Sequence, residues 1–262
     1  MRIRELAVKF SLPQKELEDI LIHYFGVTRS QLYLNNFTIS PKLLSILQRR
    51  REGYPVEYLT NTAFFLDRKL YIDERVFIPR PETEGLVMTI YDLSRGKEVR
   101  RILDIGTGSG NIALSLACLF PTAKVLATDR SRDALKVARI NIKRYHLEER
   151  VKLILADLFD SPKIKPDFDI IVSNPPYVPS DEIPLLPRSV LDFEPRGAID
   201  GGRDGFWYIQ RILTEGRKFL KEGGRIFLEI DPRHKEKITA LAPGANFLPD
   251  LAGKIRYAIF PG

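Results

Sequence analysis

Two rhythms divide the chain. Over the first 60 residues apolar side chains recur at helical spacing: Leu17, Ile20, Leu21 and Tyr24 fall on one face, and Gly26 ends that helix. Thr28-Arg29-Ser30-Gln31 is a capping box opening a second short helix. Ser40-Pro41 gives an N-cap and a first-turn proline to a third, which carries Leu43, Leu44 and Leu47. Such short helices bury little alone, so residues 1–60 are expected as a helical bundle leaning on the rest of the chain. From Ala63 to Ile78 the pattern shortens. Phe64-Phe65-Leu66, Leu70-Tyr71-Ile72 and Val76-Phe77-Ile78 alternate with charged turns, which predicts a β-hairpin linker over 61–80. Pro79-Arg80-Pro81 stiffens the chain, and Glu82 and Glu84 favour a helix start there, running to about Leu93.

Residues 81–262 alternate regularly. Apolar runs predict strands at 100–105, 124–129, 151–156, 168–173 and 224–230, and helices at 109–120, 131–145 and 205–220. This βαβ order implies a parallel sheet with right-handed crossovers. The stretch between Asp157 and Phe168 is too short for much helix, and runs at 246–248 and 254–260 predict a late hairpin that adds an antiparallel strand. The expected fold class is therefore α/β, a Rossmann-like seven-stranded sheet behind a small N-terminal helical domain. The segment 174–204 is long, rich in proline, charge and glycine, and without periodicity. Loops of that length usually carry function.

Composition adds little to this picture. Hydrophobic residues at 44% and charged residues at 29% are those of an ordinary soluble domain. The longest apolar run, Ile112 to Phe120, is broken by Ser115 and is too short for a membrane span. Met1-Arg2-Ile3-Arg4-Glu5 is not followed by an apolar core, so no leader is expected. The single cysteine, Cys118, forms no internal disulfide, which fits a cytoplasmic protein, and it lies in a helical apolar run where core packing explains it. A net charge of +7 permits a nucleic-acid or ribosomal partner, but Arg49-Arg50-Arg51 also suits a helix C-terminus. His23, His146 and His234 are scattered, so no metal site is expected.

Chemistry concentrates at strand ends. Asp104-Ile105-Gly106-Thr107-Gly108-Ser109-Gly110 closes one strand and precedes a helix, so its glycines let backbone approach a ligand beside free amide donors. In a dinucleotide fingerprint the third glycine would stand at position 111, where this chain has Asn111, so a nicotinamide cofactor is disfavoured. Asp129 ends the next strand, where a carboxylate accepts ribose hydroxyls or caps a helix. Asp157 ends the third, placed either to accept from an adenine amine, with Leu158 packed on the ring, or to form a turn. Three successive strands delivering a glycine turn or an acid to one edge point to S-adenosylmethionine, bound through Asp104, Gly106, Thr107, Gly108, Ser109, Gly110, Asp129, Asp157 and Leu158. The fold class sharpens accordingly to a class I S-adenosylmethionine-dependent methyltransferase.

The apolar strand Asp169 to Ser173 ends in Asn174-Pro175-Pro176-Tyr177. Prolines remove backbone donors and hold the preceding residue extended. The chain therefore leaves the sheet rigidly, with Asn174 and Tyr177 at the edge where open α/β sheets bind ligands. An Asx turn is the bland alternative for Asn174. The tetrapeptide resembles the amino-methyltransferase motif. Together with Pro55-Val56-Glu57-Tyr58-Leu59, Ile78-Pro79-Arg80-Pro81-Glu82-Thr83-Glu84, Glu194-Pro195-Arg196, Asp200-Gly201-Gly202 and Asp250-Leu251-Ala252-Gly253 it resembles the HemK/PrmC family over nearly the whole chain. Two departures stand out: a short first helix, and Asp231-Pro232 where the family usually has a glycine.

That resemblance implies a protein-glutamine N-methyltransferase acting on the glutamine of the Gly-Gly-Gln motif in peptide chain release factors, and so on translation termination. It implies that Asn174, Pro175, Pro176 and Tyr177 bind the substrate amide, that Asn174 borders the cofactor methyl, and that the catalytic residues are Asn174, Pro175 and Tyr177. The division expected is a substrate-docking bundle (1–60), a linker (61–80) and a catalytic domain (81–262). A monomer is expected because no unexplained apolar helix face is obvious, and neither a membrane nor a direct nucleic-acid substrate is expected. Two other acceptors share the tetrapeptide: a ribosomal-protein glutamine, or an exocyclic amine of a flipped nucleobase. A scaffold that keeps the fold without catalysis is a further alternative. Arg80 and Thr83 are expected near the same edge, as a cap, an ion-pair member or a substrate contact. Glu194 and Arg196 are expected as a mutual loop-closing pair or as substrate contacts.

Overall fold

The computed structural model describes residues 3–34 and 36–262; Met1, Arg2 and Asn35 lie outside the described residues. Five helices come first: α1 (Ile3–Phe10), α2 (Gln14–Phe25), α3 (Arg29–Leu34), α4 (Pro41–Arg51) and α5 (Val56–Leu59). The sequence marked α2, α3 and α4. Gly26 closes α2 in the left-handed conformation, with its N–H on the Ile22 carbonyl. Thr28 and Gln31 exchange both capping-box hydrogen bonds at 3.2 and 2.9 Å. Ser40 Oγ accepts from the Leu43 N–H at 3.1 Å. The sequence did not mark α1 and α5, of which Leu6 and Phe10 in α1 and Tyr58 in α5 are buried. Leu6, Phe10, Leu17, Ile20, Leu21, Leu32, Leu43 and Leu47 form a core separate from that of the sheet. Two arginines at the end of α4 have partners: Arg49 lies over the Tyr54 ring and near Glu74, and Arg50 pairs with Glu16 at 2.6 Å.

A two-stranded antiparallel ladder comes next, β1 (Ala63–Phe65) with β2 (Arg68–Leu70). The expected third run, Val76-Phe77-Ile78, is not a strand. Its backbone is bound by distant side chains: Tyr58 donates to the Val76 carbonyl at 2.6 Å, and the Ile78 N–H reaches Glu194 at 3.1 Å. Buried Asn141 grips this linker, accepting from the Tyr71 N–H at 2.7 Å and donating to the carbonyls of Tyr71 and Ser109 at 2.8 and 2.9 Å.

Helix α6 (Pro81–Ser94) leads into the main sheet. Its strands are β3 (Arg101–Ile105), β4 (Lys124–Asp129), β5 (Val151–Leu155), β6 (Phe168–Ser173), β7 (Leu220–Glu229), β8 (Asn246–Pro249) and β9 (Ile255–Pro261), in the order β5-β4-β3-β6-β7-β9-β8. The strands β3 to β7 are parallel, and β9 pairs antiparallel with both β7 and β8. Helices α7 (Asn111–Leu119), α8 (Arg132–Arg144), α9 (Arg188–Leu191), α10 (Trp207–Gly216) and α11 (Lys235–Leu241) complete the chain. The seven-stranded class I methyltransferase sheet is thus present. Two boundaries differ from expectation. The strand β7 starts at Leu220 because Gly223-Gly224 lie in a bulged segment of it rather than in a turn ahead of it. Helix α10 stops at Gly216 because the chain tightens there into the 3-10 turn Arg217–Phe219 that leads into β7. No helix among the described residues is long and apolar enough to cross a membrane.

Strand order reverses at the β3–β6 pair. Open α/β sheets bind ligands in the crevice at the carboxyl ends of such strands.

Candidate active site

The glycine turn and the proline corner begin on paired residues. Ile105 and Ser173 are partners across β3 and β6, and Ser173 Oγ donates to the Ile105 carbonyl at 2.7 Å. A cavity of about 760 Å³ opens above this pair, inside the range of small-molecule sites. Gly106, Thr107, Gly108, Ser109, Asp129, Asp157, Leu158, Asn174, Pro175, Pro176 and Tyr177 all line it.

Asp104 and Gly110 do not line it; they hold the turn from behind. Asp104 is fully buried, and its Oδ2 accepts from Thr107 Oγ1 at 2.6 Å and from the Ala113 N–H at 3.1 Å. Its Oδ1 has no hydrogen-bond partner among the described residues, and burial pushes its carboxyl up to about 7. Gly110 sits at φ 81, and a Cβ there would press on Ala138 of α8 at 3.3 Å.

The next two strand ends face the cavity directly. Asp129 accepts from the Gly108 N–H at 2.9 Å and the Ser131 N–H at 2.8 Å, so one carboxylate braces the glycine turn and its own loop. Burial raises its carboxyl against those bonds. The N-cap of α8 is Ser131, not Asp129, which frees Asp129 from that bland role. Asp157 Oδ1 has no hydrogen-bond partner among the described residues, and Arg211 stands 3.8 Å from it. Leu158 adopts φ 50, a left-handed conformation rare for leucine and of the kind that gathers at functional sites.

At the opposite wall Asn174 Nδ2 donates to Thr83 Oγ1 at 2.9 Å, and Thr83 donates to Glu229 Oε2 at 2.7 Å. The Tyr177 hydroxyl donates to the other carboxylate oxygen, Oε1, at 3.2 Å. Burial, then the charge of Glu229, raises the Tyr177 hydroxyl well above its ordinary range, so it stays protonated. The corner is clamped from outside by the 200–205 turn: the Gly201 N–H reaches the Val178 carbonyl at 2.8 Å. A Cβ on Gly205 would fall 2.2 Å from the Tyr177 carbonyl oxygen, so nothing larger than glycine fits.

Arg80 and Thr83 both line the cavity, at the start of α6. The expected Glu194–Arg196 pair does not form. Glu194 is buried, pairs with Arg80 and accepts the Ile78 N–H, whereas Arg196 reaches Asp200 at 3.3 Å on the surface. Only Pro195 separates the two, and Arg196 opens the tight turn Arg196–Ala198 on the surface while Glu194 stays buried. Sequence reasoning missed Glu229, Arg256 and Arg130, which also line the cavity. A charged residue inside the apolar run Ile226-Phe227-Leu228-Glu229-Ile230 was the available signal for the first. Arg256 carried none; it is held by Asp250, the acid of the Asp250-Leu251-Ala252-Gly253 turn, at 3.5 Å.

Comparison with known proteins places the fold and the family. The methyltransferase small domain family model matches residues 83–184. A release factor glutamine methyltransferase of Rhodopirellula baltica is 39% identical over 230 residues, covering 84% of this chain and 77% of that protein. One from Thermodesulfovibrio yellowstonii is 35% identical over 271 residues, covering 98% and 96%. A solved methyltransferase from Pyrococcus furiosus shares the fold, with a TM-score of 0.54 at 21% identity over 75% of this chain and 89% of that one.

Proposed function

Because the chain belongs to the release factor glutamine methyltransferases, we propose that its cavity binds S-adenosylmethionine along the β3–β5 edge and methylates the glutamine side-chain nitrogen in the Gly-Gly-Gln motif of a peptide chain release factor. The observation that carries this reading is adjacency: a nucleoside-type edge and an amide-presenting corner share one cavity because β3 and β6 are neighbours.

The residues present fit the cofactor. Asp129 would take the ribose hydroxyls, Asp157 Oδ1, which makes no hydrogen bond among the described residues, would accept from the adenine amine beside Leu158, and Gly106 to Ser109 would follow the chain toward the sulfur. Bound there, the sulfonium supplies an electrophilic methyl group. The protein's own part is to present a nucleophile. An amide nitrogen is weak because its lone pair is delocalised, and among the described residues no strong base lines the corner to deprotonate it. Asn174 Oδ1 and the Pro175 carbonyl instead accept its two N–H groups and aim the nitrogen. Orientation of this kind is worth about 7 kcal/mol or more when attack geometry is good. As positive charge grows on nitrogen both bonds strengthen, which favours the transition state over the bound substrate. The proton then leaves to solvent, and Pro176 and the Tyr177 ring hold the planar amide in place.

The helical unit, residues 1–60, is proposed as the docking element for the protein substrate in the cytoplasm. Its separate core supports this, as do Val8, Tyr33 and Leu34, which it leaves exposed. The decisive experiment incubates the protein with labelled S-adenosylmethionine and purified release factor. A gain of one methyl mapped to the Gly-Gly-Gln glutamine is expected. Label appearing in RNA, DNA or a ribosomal protein, with release factor untouched, would overturn the reading.

A further inference from the structure

An asparagine side chain can be turned end for end with almost no change in shape, yet one orientation offers an acceptor to the cavity and the other a donor. Resting on the acceptor-site reading above, we propose that Thr83 and Glu229 are positioning residues that lock Asn174 with its oxygen, not its nitrogen, toward the reacting nitrogen.

The direction of the hydrogen bonds carries the inference. A hydroxyl has one proton. Thr83 gives its proton to Glu229 Oε2 at 2.7 Å, so toward Asn174 at 2.9 Å it can only accept, and Asn174 must turn its NH2 to it. The oxygen is then left for the cavity. Tyr177 uses the other carboxylate oxygen, so two side chains of the substrate corner take their orientation from one anion. Thr83 and Glu229 are 2% and 1% exposed, so water does not compete for these bonds. With the amide reversed, an NH2 group would face the substrate NH2, and the aiming bond would be lost.

The arrangement depends on Glu229 being ionised. Burial pushes its carboxyl up to about 7, with Glu82 adding in the same direction, while Thr83, Arg256 and Tyr177 favour the charged form. Tyr257, on β9, also faces it. Once Glu229 takes a proton it becomes a donor, Thr83 is free to point its own proton at Asn174, and the instruction is erased. The ionised form is therefore the active one. The rate falls as pH drops through the region near 7 and levels off above it.

The test measures the single-turnover methylation rate of release factor against pH, with S-adenosylmethionine affinity measured in parallel. Thr83→Val is expected to lose about 10- to 100-fold in rate, as orienting partners behind a reactive group typically do, with cofactor affinity unchanged and the acid limb gone. Thr83→Ser restores both rate and limb. Glu229→Gln, which cannot ionise, gives a flat profile. A limb that survives in Thr83→Val and Glu229→Gln, or a Thr83→Val rate equal to wild type, overturns the proposal. A second readout needs no substrate: the side-chain amide signals of Asn174 in nuclear magnetic resonance should move with pH through the same midpoint, and stop doing so in Thr83→Val. If wild-type protein transferred no methyl to release factor the substrate reading would fall. The amide signals would still decide the role of Thr83 and Glu229.

Discussion

The two walls of the cavity are assembled in opposite ways. On the cofactor wall the acids follow their own strands and much of the bracing is short in sequence: Thr107 holds Asp104 behind the turn and Ser131 holds Asp129, with Gly108 reaching Asp129 from 21 residues away. On the acceptor wall the partners come from across the chain. Asn174 meets Thr83 from 91 residues away, Tyr177 meets Glu229 from 52, and Glu194 meets Arg80 from 114. The first wall leans on turns at adjacent strand ends, whereas the second needs more distant segments brought together. The local wall should bind its ligand even when the other is damaged.

The largest test is at the corner itself. Asn174→Ala should cost roughly 10²–10³ in turnover, the scale for losing one transition-state hydrogen-bond partner, while binding S-adenosylmethionine normally in calorimetry. Equal losses of affinity and rate would mean that the walls are not separable. Arg80→Ala comes next. It strands the buried carboxylate of Glu194, whose side chain is 1% exposed. Removing one partner of a buried pair costs about 3 kcal/mol at the low end of its range, which suits Arg80 because it is one-third exposed and rehydrates in part. Burial already raises the Glu194 carboxyl and Arg80 opposes that rise. Without Arg80 the folded state holds its proton to still higher pH. A carboxyl raised on folding lowers stability as pH rises from its unfolded toward its folded value. The variant's deficit in denaturant unfolding should therefore be largest in alkali and shrink in acid.

Asp129→Ala probes the other wall. Loss of hydrogen bonds to a charged group is worth about 1.5–3 kcal/mol, and here it should appear as weaker cofactor affinity with turnover at saturating cofactor nearly kept. Unchanged affinity would place the ribose elsewhere.

This division also explains what could be read from the chain alone. The sheet, the glycine turn, Asp129 and Asp157 were legible because each comes after an apolar run and owes its position to that run. The corner at Asn174 was legible too, since two prolines declare their geometry. Its surroundings were not. Nothing near Thr83 in sequence says that its hydroxyl will lie between Asn174 and a strand-end glutamate. Val76-Phe77-Ile78 has the composition of a strand, yet its backbone is satisfied by Tyr58 and Glu194. Gly205 looks like a loop residue until the Tyr177 carbonyl is found where its side chain would stand.

The smallest effect is expected at Arg196, and it matters because the sequence sets Arg196 beside Glu194 as though the two were equivalent. They are not. Arg196 is 71% exposed and pairs with Asp200 at 3.3 Å four residues on, a surface contact of the kind worth about 0.2–1 kcal/mol. Asp200 is already held by the Ser180 hydroxyl at 2.6 Å and by the Gly202 N–H at 3.0 Å, so the turn that clamps Tyr177 keeps its anchor without the arginine. Arg196→Ala should therefore leave unfolding stability within about 1 kcal/mol and the single-turnover rate unchanged. A drop in rate without a drop in stability would show that Arg196 meets the incoming protein substrate. In that case the acceptor wall would extend onto the exposed side of the 178–204 loop, and the contrast between a locally built and a globally built wall would acquire a third, surface-borne part.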